Sequence, residues 1–519
     1  MDLTYLGHAG FYVEANEFVI AMDPWLSAHG AFDSAWFQYP CNHHLAPWLR
    51  DALTATTKEA FVYVSHEHRD HFDPETLTQL PLEKLTFLVP KFDRPALRRE
   101  LEKLNPKAIV LVDNGEQVPL PGGSARLYLD DAGINRDSAI LVKSGGDSFL
   151  NMNDCKLYDE LPQIARSEGP ISVFACQFSG ATWHPTCYEY EASEYQRISA
   201  QKRQGKFEMV ARAIAAVQPQ CYIPSAGPAC FLDPTLFHIN FEPMNIFPRA
   251  AEFLDFLKAR GGNSAMKAME MMPGDRWRSA GQQFDRMSAD RVDESNFDSY
   301  MKSYASRYAQ FFADRQPRLA DEEIQKLVGR LKSALEAKLE PLALSERIQV
   351  PLYFGLSDHA ASLLRIDFRE KRVDPVSQIA SEDYYSLTTP SWQIQRVLDG
   401  KITWEEFALT FRARLNRKPD VYQTLMQGFL LMEPEDMNSF CEKLSAIEQR
   451  QKRLTIEAAG TRYSIDRYCP HQGADLSQGY LTDGRYWTCP RHRWQFDLEK
   501  EGQCTTTAGS IHAICLDHE

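Results

Sequence analysis

The sequence predicts an α/β fold in which buried sheets are covered by helices, followed by a mixed, mainly helical module. Two observations carry this expectation. Through the N-terminal half, short apolar runs alternate with segments of helical spacing. Several runs, Phe61-Val62-Tyr63-Val64 among them, are apolar at every residue, as strands covered on both faces are. The runs also end in loops marked by glycine or proline that hold histidines, aspartates and serines, where sites on layered α/β folds collect.

At 519 residues the chain exceeds one ordinary core, so several domains are expected, cut at 1–248, 249–440 and 441–519. A composition of 44% apolar and 25% charged residues is that of a globular protein. The net charge of −14 argues against a nucleic-acid partner, although Arg98-Arg99 and Lys202-Arg203 leave an anionic substrate open. No apolar run reaches membrane-helix length, and Met1-Asp2-Leu3-Thr4-Tyr5 lacks a signal pattern, so a cytoplasmic protein is expected. The eleven cysteines are scattered, as buried reduced thiols are.

In chain order, Leu3 to Val13 and Glu17 to Met22 read as strands, the first carrying Gly7-His8-Ala9-Gly10. The second ends at Asp23-Pro24-Trp25, where proline stops pairing and frees Asp23. The aromatic stretch from Ser27 to Pro47, with His29, His43 and His44, reads as a surface or lid segment. Helices are expected at Pro74 to Leu80, Pro95 to Leu104 and Tyr195 to Val217. Strands are expected at Thr86 to Pro90, Ala108 to Val112, Ala125 to Leu129, Ala139 to Val142, Phe149 to Met152, Ile171 to Cys176 and Gln220 to Pro224. The last two lead into Ser179-Gly180 and Ser225-Ala226-Gly227-Pro228. Beyond residue 250, helices are expected over 248–261, 321–340, Ser391 to Asp399 and Trp404 to Arg414, and strands at Arg347 to Phe354 and Ser362 to Phe368.

Two stretches carry chemistry. His66-Glu67-His68-Arg69-Asp70-His71 follows the buried run at Phe61 and puts four ligand-type side chains within six residues of a strand end. Cys469-Pro470-His471 and Cys489-Pro490-Arg491-His492 pair two thiols with two imidazoles, a donor set suited to zinc or to an iron–sulfur cluster.

The first spacing, His-x-His-x-Asp-His, resembles the signature of the metallo-β-lactamase superfamily, whose αββα sandwich is therefore expected over residues 1 to about 240. The resemblance implies that His66 and His68 bind one metal, with Asp70 and His71 available to a second, and that Asp154 bridges. Asp70 is also a catalytic candidate. The further histidines usual in that superfamily are replaced by Asp130-Asp131-Ala132-Gly133 and Ser225-Ala226-Gly227, so the site reads as incomplete, with His184 and His238 as candidate replacements. The second stretch, with Cys-Pro-His-Gln-Gly and Cys-Pro-Arg-His-Arg-Trp-Gln-Phe-Asp, resembles a Rieske [2Fe–2S] domain. That implies a small all-β C-terminal domain, with Cys469 and Cys489 on one iron and His471 and His492 on the other.

Together the two resemblances point to the vertebrate-type CMP-N-acetylneuraminate hydroxylase family with its domains rearranged. Residues 179–180, 224–232 and Arg417-Lys418-Pro419-Asp420-Val421-Tyr422 look similar beyond the metal motifs. What this implies is an oxidoreductase: a Rieske-dependent oxygenase using non-haem iron, mononuclear or dinuclear, and O₂ to hydroxylate or N-oxygenate a small polar metabolite. His8 and His184 are candidate substrate contacts or proton donors, and Asp23 would orient a ligand histidine. The expected partners are a small-molecule substrate and an electron-donating ferredoxin, cytochrome or flavin reductase. Homo-oligomerisation is left open, and neither nucleic acid nor a membrane is expected. The rival readings are a dizinc hydrolase with a regulatory or redox-sensing cluster, and an electron-transfer protein with a vestigial first site.

Overall fold

A computed structural model describes residues 1–131, 136–261, 265–288, 291–315, 319–450, 452–507 and 509–517; Ala132 and Gly133 lie outside them. Two compact units result: residues 1–131, 136–182 and 192–313 in one, 183–191 and 314–519 in the other.

The first unit is a sandwich of two sheets. In one, β1 (Asp2–Gly7), β2 (Gly10–Glu14), β3 (Phe18–Met22), β4 (Glu59–Tyr63), β5 (Leu85–Pro90) and β6 (Ala108–Val112) lie side by side, antiparallel to β3 and parallel thereafter. In the other, β7 (Gln117–Leu120), β8 (Gly123–Asp130), β9 (Asp137–Ser144) and β10 (Asp147–Asn151) are antiparallel, and β11 (Val173–Gln177) and β12 (Cys221–Ser225) continue parallel to β10. Strand alternation sorts the side chains into layers. Phe18, Ile20, Met22, Phe61 and Tyr63 of the first sheet meet Ile140, Val142, Phe149, Val173, Ala175 and Ile223 of the second. The opposite faces take helices: Leu49 and Leu53 of Leu45–Ala55 on the first sheet, and Phe207 and Val210 of Ala192–Val217 with Phe253 of Ala250–Ala259 on the second.

Three departures from expectation have local causes. The strand expected over Leu3 to Val13 is two strands, because the chain reverses at His8-Ala9, where Gly7 has φ +104° and His8 φ +51°. A Cβ on Gly7 would stand 2.7 Å from the Asn42 side-chain nitrogen, so glycine is required there. The helix expected over Trp404 to Arg414 covers only Trp404–Leu409 and stops before left-handed Phe411. The division between units falls at 313, whereas the expected domain boundary lies at 248. The intervening strands β13 (Lys267–Ala268), β14 (Arg276–Arg278) and β15 (Gln283–Asp285) extend the sandwich sheets beyond β12 and β1.

In the second unit, β16 (Leu352–Leu356), β17 (His359–Asp367), β18 (Arg372–Val376), β19 (Tyr384–Thr389) and β20 (Arg414–Lys418) form one sheet in the order β18-β17-β16-β19-β20. The C-terminal segment builds two small sheets. One holds β21 (Arg453–Ala458), β22 (Thr461–Asp466) and β27 (Ile514–Cys515), and the other β23 (Tyr480–Thr482), β24 (Tyr486–Thr488), β25 (Gln495–Asp497) and β26 (Gln503–Cys504).

After β12, the Ala226 N–H donates to the His8 carbonyl at 2.8 Å, fixing the β1–β2 turn. Gly227, at φ +153°, has no room for a side chain, since a Cβ would stand 2.0 Å from Ser179 Oγ. Gly227→Ala should therefore lower unfolding stability by about 1–3 kcal/mol, read by denaturant titration.

Candidate metal centres

Strand β4 delivers the motif loop to the carboxyl edge of the first sheet, where β3 ends at Asp23. The Asp23 carboxylate accepts from the Ser65 N–H (2.8 Å) and Ser65 Oγ (2.7 Å), and its Oδ2 lies 2.9 Å from His71 Nδ1. With a proton on Nδ1 donated to Asp23, His71 presents the Nε2 lone pair. His66 turns its Nδ1 to Ser65 Oγ (3.0 Å) and Asp137 (3.3 Å), leaving its Nε2 2.8 Å from His68 Nδ1.

Two groups of three ligand-type side chains result among the described residues. In each, one donor atom per residue lies within 4.8 Å of the others: His66, His68 and Asp154 in the first, His8, Asp70 and His71 in the second. The sequence left the second group short. His8, expected as a substrate contact or proton donor, instead stands with its Nε2 3.0 Å from Asp70 Oδ2. Asp154 reaches the site from the loop after β10, its Oδ1 3.5 Å from His71 Nε2. The signal for His8 was the histidine between two glycines at a strand end, but its partners are distant in sequence.

The residues fit cations. Asp70 Oδ1, His71 Nε2 and Asp154 Oδ1 are buried without hydrogen-bond partners, which is costly unless an ion satisfies them. Burial, then the adjacent His71, pushes His66 down to about 4, so its imidazole is neutral, the ligating form. Against burial, Asp154, Asp70 and Asp23 raise His71 well above its ordinary range, so this position favours positive charge. Likewise against burial, His71 and the His8 hydrogen bond hold Asp70 at about 2, and His71 and His66 hold Asp154 well below the carboxylate range. Trp25 lies edge-on to His8 (5.3 Å) and Phe32 edge-on to His68 (5.9 Å), walling the site with apolar surface.

Neither of the two histidines proposed from sequence as replacement ligands belongs to these groups. His238 sits on the 3₁₀ turn Phe237–Phe241 with its side chain 56% exposed, 3.8 Å from Glu242, and belongs to neither group. Being that exposed, it should be replaceable by alanine with unchanged metal content, checked by elemental analysis. His184 lies in the second unit, its Nε2 2.9 Å from the Tyr190 hydroxyl.

In the second unit the two Cys-Pro loops are built alike. The Cys469 N–H donates to Ala474 O (2.9 Å) and the Gly473 N–H to Cys469 O (2.9 Å); the Cys489 N–H donates to Trp494 O (2.8 Å) and the Arg493 N–H to Cys489 O (3.0 Å). The fifth residue of each loop is left-handed, Gly473 at φ +72° and Arg493 at φ +61°. The loops bring two fully buried thiols together, and burial plus the neighbouring Cys489 raises Cys469 well above the thiol range. A thiolate pair in this position requires bound cations. The His471 and His492 rings lie 4.5 Å apart at 76°, so the loops pair the two imidazoles as they pair the two thiols, the donor set of a Rieske cluster. Cys504 and Cys515 are free thiols outside the set.

Fold and donor sets thus define a β-lactamase-fold metalloprotein with a C-terminal iron–sulfur domain. A Beta-lactamase superfamily domain matches residues 2–146 and a Rieske [2Fe-2S] domain residues 430–512. A protein of Mycolicibacterium smegmatis described as a Rieske 2Fe-2S iron-sulfur protein is 31% identical over 534 residues, covering 98% of each chain. The chain belongs to this family of Rieske 2Fe-2S iron-sulfur proteins, and the [2Fe–2S] cluster is its cofactor. The inactive cytidine monophosphate-N-acetylneuraminic acid hydroxylase of Homo sapiens is 24% identical over 494 residues, covering 90% of this chain and 93% of the relative. Among solved structures, CmlA, a diiron β-hydroxylase from Streptomyces venezuelae, aligns with TM-score 0.34 at 17% identity, over 55% of this chain and 54% of that one. No helix among the described residues is long and apolar enough to cross a membrane.

Proposed function

We propose that this protein is a Rieske-dependent non-haem iron oxygenase acting on a small polar metabolite. The observation that carries the reading is the presence, in one chain, of a Rieske domain and of two neighbouring groups of ligand-type side chains, each with histidines and a carboxylate. A one-electron carrier has no role in water activation by redox-inert zinc, whereas iron held by histidines and carboxylates activates O₂. Inserting one oxygen atom while the other leaves as water consumes two electrons and two protons; the cluster would supply the electrons singly from a soluble donor, and solvent the protons. The hydroxylase name, carried by a 24%-identical human relative that is itself described as inactive, supports hydroxylation over hydrolysis.

In this reading His66, His68 and Asp154 hold one iron, and His8, Asp70 and His71 the other. Asp23 fixes the His71 tautomer, Ser65 ties Asp23 to His66, and Trp25 and Phe32 limit water at the outer histidines. With His8 counted, each group offers three donors, so a shortage of ligands does not separate iron from zinc in this reading; the cluster does. Protein purified without oxygen should hold about four irons per chain and consume O₂ when reduced. Two irons with two zincs, and ester cleavage without reductant, would instead establish the hydrolase.

A further inference from the structure

One of the two cluster histidines, His471, is held by a ring from inside the Rieske domain and by another from outside it. Trp494 stacks on the His471 ring at 4.1 Å and 12°, and Tyr422 stands edge-on to both rings, 5.6 Å from His471 at 89° and 5.7 Å from Trp494 at 78°. His471 is left 7% exposed. Tyr422 belongs to the segment leaving β20, and that segment is tied at several points. Arg417 and Asp420 pair at 2.5 Å, and the Tyr190 hydroxyl donates to both Asp420 oxygens at 3.0 and 3.1 Å. The Tyr385 hydroxyl of β19 donates to the Val421 carbonyl, and the Tyr422 N–H donates to Thr506 O at 3.1 Å. The Arg417 guanidinium lies over the Tyr188 ring at 5.0 Å.

We infer that Tyr422 is a positioning residue for His471, anchored by the β16–β20 sheet, and that by holding the imidazole dry it lowers the reduction potential of the cluster. The direction follows from charge. Reduction adds one negative charge, which an apolar surrounding disfavours and water favours, so opening the grip raises the potential. The arrangement also lets a shift of that sheet reach the cluster through residues 417–422, without any change in the Rieske ligands. This inference goes beyond the oxygenase reading and does not depend on it, because the cluster's potential is measured without turnover.

The test uses the full chain with its cluster assembled, comparing Tyr422→Phe, Tyr422→Leu and Asp420→Asn. The readouts are the midpoint potential and the nitrogen hyperfine couplings of the reduced cluster by electron paramagnetic resonance methods. Tyr422→Leu should raise the potential and change the coupling of one histidine of the two, while Tyr422→Phe, which keeps the ring, should match the parent. Asp420→Asn leaves every ring in place but frees the anchor, and should shift the potential in the same direction by less. An unchanged potential in Tyr422→Leu would overturn the inference, as would a Tyr422→Phe shift equal to that of Tyr422→Leu. If Tyr422→Leu fails to assemble a cluster, Asp420→Asn decides, and a parental potential there overturns the inference.

Discussion

Replacing Cys469 by serine is expected to abolish the [2Fe–2S] cluster and with it reductant-driven turnover, while iron stays at the His66 site. Cys469 is fully buried beside Cys489, and the loop hydrogen bonds to the Ala474 carbonyl and from the Gly473 N–H hold its backbone whether or not the sulfur is present. Serine changes one atom, but its hydroxyl does not ionise to a ligand near neutral pH, so the paired thiol set is broken. Without the electron route, turnover should fall at least about 10³-fold, or ~4 kcal/mol in barrier terms. Because cluster binding contributes to folding of the small C-terminal sheets, those sheets should also melt earlier. The first unit has its own core between two sheets and its own ligands, so its iron should be retained. The measurements are visible absorption, iron and sulfide counts, and O₂ uptake with reductant; sustained multiple turnover in this variant would contradict the electron-relay reading.

The legible part of the molecule was what is local in sequence. Apolar runs such as Phe61 to Tyr63 and Val173 to Cys176 lie in β4 and β11 because a strand covered on both faces needs no long-range information to be apolar. The Cys-Pro-His and Cys-Pro-Arg-His loops were legible for the same reason, since each cluster ligand is set by hydrogen bonds within its own loop. Long-range assembly was not legible. His8 reaches Asp70 only because the β1–β2 hairpin pairs into the sheet that carries β4, and nothing near His8 in sequence encodes that partner. His238 misled in the opposite sense: its place along the chain suited a missing ligand, but its 3₁₀ turn leaves it exposed. Strands β13 to β15 were missed because segments of two or three residues carry no periodicity, and their identity comes from edges already formed by β1 and β12.

Asp23 offers the second large effect, and the two substitutions that separate its roles are Asp23→Ala and Asp23→Asn. The carboxylate is fully buried and accepts from the Ser65 N–H, Ser65 Oγ and His71 Nδ1. Alanine leaves these donors buried without an acceptor, at about 1–3 kcal/mol for each unsatisfied group, so a drop in unfolding midpoint is expected together with metal loss. Asparagine fits the same space and keeps one oxygen for the Ser65 N–H, so the fold should survive. Its amide then donates toward His71 Nδ1, which must accept, and the ring proton moves to Nε2, where it blocks the lone pair facing Asp70 and Asp154. The expected result for Asp23→Asn is near-parental stability with metal affinity of the His8, Asp70 and His71 group reduced about 10–100-fold, and the His66, His68 and Asp154 group less affected. Metal titration of the two variants, read beside their unfolding curves, distinguishes an orienting carboxylate from a merely structural one: equal affinity in Asp23→Asn and the parent would show that the tautomer of His71 is set elsewhere.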